Sequence, residues 1–299
     1  MISKTIHKAF KCIRLGYYRF LDFFSCYSKE DCRNAFVSYM NQKAKEIGAK
    51  TAVFGDPSGY WSKASRASAL DLLHVFIYAA GIESITDIWS KKDYRMFVQG
   101  ICDRMVSIRT TVNYDIYDNL AFPILGVKTG TEPNVTYNLA WLAQMPDGRQ
   151  VACVLLGAPD DNSRWQDAML VLRSIQEDDK VLLSEVKATS VAACCLSDKP
   201  HISDDVNLKL LREKNPDMLG VPASLTKIMS LICAIDYVHN LDEKVRIVNS
   251  DIVNGSGNNL KEGDVVAVRD LFYDMLLPSS NTAATALSRF IGKRILNSK

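Results

Sequence analysis

Long apolar runs are absent from this chain of 299 residues. Its most hydrophobic stretches, such as Leu225 to Ile235, are too short and too interrupted to cross roughly 30 Å of hydrocarbon, so no transmembrane helix is expected. An excess of one charge is missing too. Against 36 lysines and arginines stand 34 acids, a net charge of +2, so there is no global field to hold a polyanion and nucleic acid is excluded as an expected partner. Histidine is scarce, and His7, His74, His201 and His239 show the spacing of neither a metal site nor a catalytic triad. The chain has eight cysteines, yet no Cys-x-x-Cys pair has a histidine partner of the zinc-binding kind, and a core of this size needs no disulfide staples. Cys153, Cys194, Cys195 and Cys233 lie in apolar runs and read as buried thiols, a usage that suits a reducing or anaerobic setting. No cofactor or metal is implied. There are no internal repeats or low-complexity tracts, and 47% hydrophobic residues allow one large domain or two lobes around a cleft.

Residues 1–32 stand apart as a basic N-terminal segment. Lys4, Lys8, Lys11, Arg14 and Arg19 precede any acid, while Ile2, Ile6, Phe10, Ile13, Tyr17, Phe20 and Phe24 recur every three or four positions. The segment lacks the unbroken apolar stretch and small-residue cleavage site of a secretory signal. As an amphipathic helix, residues 1–25 fit either an anionic membrane surface or the protein's own core, since both would cover the same apolar stripe.

The rest, residues 33–299, reads as a single α+β domain. From 33 to 123 the apolar spacing is helical, through Phe36, Met40 and Ala44 and then Leu70, Leu73, Phe76 and Ile77, interrupted by the turn Gly55-Asp-Pro-Ser-Gly59. Strand patterns follow at Ile124 to Lys128, Val135 to Ala143 and, after the turn Pro146-Asp-Gly148, Gln150 to Leu156. A helix is expected over Ser163 to Gln176, and a hairpin from Val191 to Leu196 and Asn207 to Arg212. Pro222 then opens an apolar helix running to about His239. A short strand at Val265 to Val268 precedes a helix ending at Leu277, and Thr282 to Ile291 is helical again. By this pattern a helical lobe takes in 33–123 and 257–299, and a sheet lobe 124–256.

Three short motifs carry chemistry. Pro222-Ala-Ser-Leu-Thr-Lys-Ile228 holds Ser224 and Lys227 three positions apart on one helical face, where the amine can reach the hydroxyl. A serine needs a base, and a lysine serves only where its surroundings keep it neutral, as a buried helix start does. Leu277-Pro-Ser-Ser-Asn281 places Ser279 and Asn281 on a turn before a helix. Val127-Lys-Thr-Gly130, followed by Thr131, ends a strand: Lys128 offers a fixed positive charge, Gly130 lets a substrate backbone approach, and the hydroxyls of Thr129 and Thr131 suit a carboxylate. Each pattern is weak alone. Ser184-Glu-Val-Lys187 repeats the first spacing and Ser256-Gly-Asn258 the second, with no such context.

Together the three motifs resemble the set found in β-lactamases and penicillin-binding proteins. The similarity extends through Gly257-Asn-Asn-Leu-Lys-Glu-Gly263, the helix Val268-Arg-Asp-Leu-Phe272, the segment Phe36 to Gly59, and Gly126 to Pro159. Over nearly everything after residue 30 the chain resembles the D-alanyl-D-alanine carboxypeptidases of the low-molecular-mass penicillin-binding group. That resemblance implies a β-lactamase/transpeptidase-like fold, a five-stranded antiparallel sheet flanked by helices. The order departs from the family's, in which Lys-Thr-Gly comes last; here it comes first, which implies circular permutation, with residues 188–299 as the family's first half and 30–176 as its second. Exchange of halves between two chains would give the same order.

The resemblance also implies a chemistry. Ser224 would attack the acyl-D-alanine carbonyl, with Lys227 as general base, Ser279 as proton relay, Asn281 as orienting group, and Lys128 lowering the pKa of Lys227. Thr129, Gly130, Thr131 and Arg164 would bind the peptide, its terminal carboxylate included, with the backbone N–H groups of Ser224 and Thr131 as oxyanion hole. Expected partners are peptidoglycan D-Ala-D-Ala stem peptides and β-lactam antibiotics, which implies the cell envelope and membrane association, whereas the missing signal favours the cytoplasm. An endopeptidase, a β-lactamase or a non-hydrolytic penicillin-binding sensor of the same fold are the alternatives. The usual β-rich second domain is not found in the sequence.

Overall fold

The computed structural model describes residues 27–60, 64–100, 102–112, 123–196 and 208–298. The basic stretch assigned to residues 1–25 lies outside them. Helix α1 (Lys29–Glu46) begins at Ser28, whose hydroxyl accepts from the Asp31 N–H at 3.0 Å while the Asp31 carboxylate accepts from Ser28 N–H, a reciprocal cap. Ser68 and Asp71 start α2 (Ala69–Ala80) in the same way. After α3 (Glu83–Trp89), β1 (Asp93–Val98) and β2 (Arg104–Arg109) form an antiparallel hairpin. This corrects the expectation of helix throughout 33–123. In β1 Met96 and Val98 point inward, but Phe97 is 45% exposed on the outer face, and that outward aromatic masks the period-two alternation.

The main sheet runs β3-β4-β5-β6-β7, all antiparallel, from β3 (Ile124–Glu132), β4 (Thr136–Gln144), β5 (Gln150–Ala158), β6 (Ser190–Leu196) and β7 (Leu210–Lys214). Helix α4 (Asp161–Gln176), capped by Asp160, links β5 to β6. Strand alternation divides the side chains between two cores. Leu139, Trp141, Cys153, Leu155 and Val191 meet Trp165, Ala168, Val171 and Leu172 of α4 on one face. Ala140, Leu142, Ala152, Val154 and Ala192 on the other face join the helical core, which includes α5 (Thr226–Ile235), α6 (Val268–Leu276) and α7 (Asn281–Asn297). By sequence position α5 falls with the sheet; its Ile228, Met229, Leu231 and Ile232 pack in the helical core. It ends at Ile235, short of the expected His239, where the chain turns and Arg294 of α7 takes the Tyr237 carbonyl at 2.6 Å.

A small ladder of β8 (Lys244–Arg246) and β9 (Val265–Ala267) ties the β1–β2 hairpin to the helices through Gln99 and Val265. Helices α1 and α7 cross closely: a Cβ on Gly292 would lie 1.8 Å from the Cys32 carbonyl oxygen, so only glycine fits. The Tyr27 hydroxyl reaches the Leu296 carbonyl at 3.4 Å. None of the described helices is by itself long and apolar enough to cross a membrane. The six described cysteines are free thiols.

Candidate active site

Ser224 lies in a single 3-10 turn, Ala223–Leu225, that runs directly into α5, so Lys227 occupies the first turn of that helix. The preceding residue, Ala223, has φ +46, in the left-handed region where a side chain costs roughly 1–2 kcal/mol. That strain is held from two sides. Gly59, itself at φ +75, packs so tightly that a Cβ there would sit 2.0 Å from the Ala223 carbonyl oxygen. From the sheet, the buried Asn138 of β4 donates to the carbonyls of Val221 at 2.8 Å and Pro222 at 3.2 Å, while its Oδ1 accepts from Gly157 N–H at 2.9 Å. Local strain of this kind persists only where surrounding structure over-determines it.

Lys227 is fully buried, and its Nζ donates to three acceptors: Ser224 Oγ at 2.8 Å, Asn281 Oδ1 at 2.8 Å and the Ser58 carbonyl at 2.9 Å. All three of its donors are therefore matched. Burial brings its pKa down to about 7, against the pull of the Asp56 carboxylate, which raises it. Asp56 is fixed by Arg33 at 2.7 Å and turns the 55–59 loop by accepting from Ser58 N–H, Ser58 Oγ and Gly59 N–H.

Opposite, the buried Lys128 of β3 donates to Ser279 Oγ at 2.9 Å and to the Thr129 carbonyl at 2.8 Å. Burial pushes its ammonium well down, with the charges of Lys227 and Arg164 acting in the same direction. Burial is the main cause at both lysines, and the repulsion between the two charges acts in the same direction. Ser279 adopts φ +63, a second left-handed non-glycine residue in the cleft. The next residue, Ser280, caps α7 by accepting from Ala283 N–H at 3.1 Å. Asn281 is held by its amide, which donates to the Asn254 carbonyl at 3.1 Å, and by its backbone N–H, which donates to the Ser256 carbonyl.

Thr129, Gly130 and Thr131 follow Lys128 along β3, and Arg164 reaches Thr131 from α4. Thr129 is buried and shares a hydrogen bond of 2.7 Å with Thr111 Oγ1. Thr131 is exposed and accepts from Arg164 Nη1 at 2.7 Å. Arg164 is only 5% exposed, paired with Asp161 and lying over the Tyr137 and Trp165 rings, so it is no solvated surface arginine. Gly130 is where β3 packs closely on the chain itself. A Cβ there would stand 2.9 Å from the Pro222 carbonyl oxygen and 3.1 Å from Leu225 Cγ, so its lack of a side chain admits the chain's own backbone next to Ser224. Ser184, in the decoy pair, turns its hydroxyl to the Val181 carbonyl on the surface.

Sequence reasoning missed Asn138, Thr111, Ser58 and Asp56. The last two stood in a turn read only as punctuation, and a polar Asn in an apolar strand was the available signal for the first. Among the described residues no group of histidine, cysteine or acids could hold a metal ion.

A D-alanyl-D-alanine endopeptidase of Pseudomonas aeruginosa is 30% identical over 90 residues, 29% of each chain. The match thus spans under a third of that relative. No solved structure matches. The family model of the D-alanyl-D-alanine carboxypeptidases, peptidase S11, matches residues 31–160 and 189–293. Spanning both the β3 motif and the two motifs that follow it in the chain, that match shows that the chain belongs to the D-alanyl-D-alanine carboxypeptidase family.

Proposed function

We propose that the chain is a serine-type D-alanyl-D-alanine carboxypeptidase with Ser224 as nucleophile. The observation that carries this reading is the buried Lys227 amine, bonded at once to Ser224 Oγ and Asn281 Oδ1. With its pKa brought to about 7, a substantial fraction is neutral at neutral pH and can take the serine proton. Ser224 Oγ attacks the penultimate D-alanine carbonyl, and the backbone N–H groups of Ser224 and Thr131 receive the oxyanion. The tetrahedral adduct collapses by breaking the C–N bond. Ser279, bonded to Lys128, relays to the departing D-alanine amine the proton that Lys227 took from Ser224, which leaves Lys227 neutral again. Water then attacks the ester and restores Ser224.

Thr131 and Arg164 are the carboxylate-binding pair in this reading, and the peptide adds to β3, the edge strand of the sheet. Substrate and β-lactam would meet the protein at the cell envelope, with residues 1–25 as the membrane-facing segment. The order of the motifs is a circular permutation, supported by the contact of Tyr27 with Leu296 and the close crossing of α1 and α7.

The test is mass spectrometry after incubation with penicillin. The expected result is a single adduct on the wild type and none on Ser224→Ala; labelling of both, or of neither, overturns the reading. The name of the Pseudomonas relative favours a second possibility, cleavage of cross-links. Release of free D-alanine from a pentapeptide, with a cross-linked dimer left intact, selects the carboxypeptidase.

A further inference from the structure

We propose that Asp274, a residue outside all three motifs, is the positioning residue that holds Ser279 and Asn281 in their working geometry. It lies on α6 directly behind the Leu277–Asn281 turn and is fully buried. Its carboxyl links the two pieces of chain that shape the turn. Oδ1 accepts from Asn259 Nδ2 at 2.8 Å, which fastens the 254–259 loop. The Ser280 side chain bears on the same carboxyl, and Ser280 N–H donates to the Asp274 backbone carbonyl at 2.9 Å.

The fastened loop in turn grips Asn281, through the Asn254 carbonyl on its amide and the Ser256 carbonyl on its backbone N–H. Gly257 completes the clamp: a Cβ there would come within 2.5 Å of Ser280 Cα. Asp274 therefore acts on Ser279 and Asn281 from both sides of the turn, and Ser279 needs such support because its φ of +63 is unfavourable for a side chain.

The carboxyl is not there for its own stability. Among the described residues its buried Oδ2 has no hydrogen-bond partner, a state that destabilises a fold and that calls for an explanation by function. An apolar side chain of similar volume would avoid this cost but could not hold Asn259 or Ser280. Burial raises the carboxyl's pKa to about 6, so near neutrality the clamp works close to its own titration.

This inference rests on the proposed function for what Ser279 and Asn281 do, but its test separates the two. Asp274→Ala, Asp274→Asn and Asn259→Ala are compared in the full chain by amide hydrogen exchange over 275–283 and by penicillin acylation kinetics. In Asp274→Ala, exchange at Ser280 and Asn281 is expected to rise roughly tenfold or more as the local structure opens. Its acylation rate is expected to fall roughly ten- to a hundredfold, with little change in the half-saturating penicillin concentration, because misplacement acts on the chemical step. Asp274→Asn, which keeps an acceptor for Asn259, is expected to restore both to within about fivefold, and Asn259→Ala to fall between.

Wild-type exchange in Asp274→Ala, or failure of Asp274→Asn to improve on it, overturns the proposal. Should Asp274→Ala not fold, Asn259→Ala decides, since that side chain is partly exposed and its loss spares the core. If the wild type takes up no penicillin, the proposed function fails while the exchange data still decide the clamp.

Discussion

Lys128 Nζ and Ser279 Oγ lie 2.9 Å apart, although 151 positions separate them in the chain. Lys227 is likewise bonded to Ser58 across 169 positions and to Asn281 across 54. The cleft is thus assembled from four distant stretches, on β3, the 55–59 loop, the start of α5 and the start of α7. Each contributes a group that has little meaning alone.

Replacing Lys227 by methionine removes the amine but keeps most of its volume. Acylation by penicillin is expected to fall on the order of 10²–10⁴-fold, the usual loss for a general base. Folding should also weaken, because the buried Asn281 Oδ1 and the Ser58 carbonyl lose their donor, at about 1–3 kcal/mol for each group left unpaired. Stopped-flow acylation and thermal unfolding read the two effects separately. A Lys227→Met enzyme with unimpaired acylation would remove the lysine from the mechanism.

The acylation rate should climb with pH through about 7 and then level off, as the Lys227 ammonium loses its proton. Asp56 raises that pKa, so Asp56→Asn should move the rising limb to lower pH while leaving an oxygen for Ser58 N–H and Gly59 N–H. A limb that stays in place or moves upward contradicts the assignment of Lys227 as the titrating group.

Gly59→Ala and Gly148→Ala form a controlled pair. Both glycines have positive φ, +75 and +85, but a Cβ at 59 would meet the Ala223 carbonyl at 2.0 Å, whereas nothing lies within 4 Å at 148. Gly148→Ala should therefore cost only the backbone term, about 1 kcal/mol. Gly59→Ala should cost clearly more, about 3 kcal/mol or above, and should slow acylation by displacing the turn that carries Ser224. Equal unfolding temperatures for the two variants would show that the contact with Ala223 is not a constraint.

Asp274 makes stability depend on pH in a defined direction. Its carboxyl titrates near 6 when folded and near 3.8 when unfolded. Below 3.8 both states are protonated and burial of the carboxyl carries no ionisation penalty. Between 3.8 and 6 the unfolded chain ionises first, so stability is lost as pH rises. Across that window the wild type should lose about 3 kcal/mol relative to Asp274→Asn, roughly two pKa units at about 1.4 kcal/mol each. Urea unfolding of the two proteins at pH 4 and pH 7 measures this difference, and a gap that does not change with pH would show that Asp274 is not titrating in the core.

The proposed permutation can be undone. A chain that starts at Lys180, runs to Ser298, passes through a short Gly/Ser linker to Tyr27 and ends at Asp179 presents Ser-x-x-Lys, Ser-x-Asn and Lys-Thr-Gly in the family's order. The cut falls in an exposed surface turn, with Val181 72% exposed, and the joined ends are already in contact. Uptake of penicillin within about fivefold of the original chain is expected, since the domain's contacts are kept. A relinked chain that fails to fold would count against permutation and for exchange of halves between molecules.

Much of this was legible in the residues. The sheet strands announced themselves because β3, β4 and β5 carry β-branched and apolar runs broken by plain turn signals, and Ser224 with Lys227 stood out by sitting at the head of a strongly apolar helix. What sequence could not supply were groups acting through backbone carbonyls. Ser58 reaches Lys227 by its main chain, and Ser256, in a decoy motif, supports Asn281 the same way. No side-chain pattern marks a carbonyl. The β1–β2 hairpin was lost for another reason, since a strand with an aromatic on its outer face has no clean alternation to read.

The tight seat of α1 on α7 has a kinetic side. Tyr27 and Leu296 are 269 positions apart, and contacts of such separation slow folding because loop-closure entropy must be met before they form. On the ribosome, α7 follows α1 by tens of seconds at roughly 5–20 residues per second. Through that interval Phe36, Met40 and Ala44 have no α7 to cover them, which leaves α1 open to chaperones and to aggregation during synthesis.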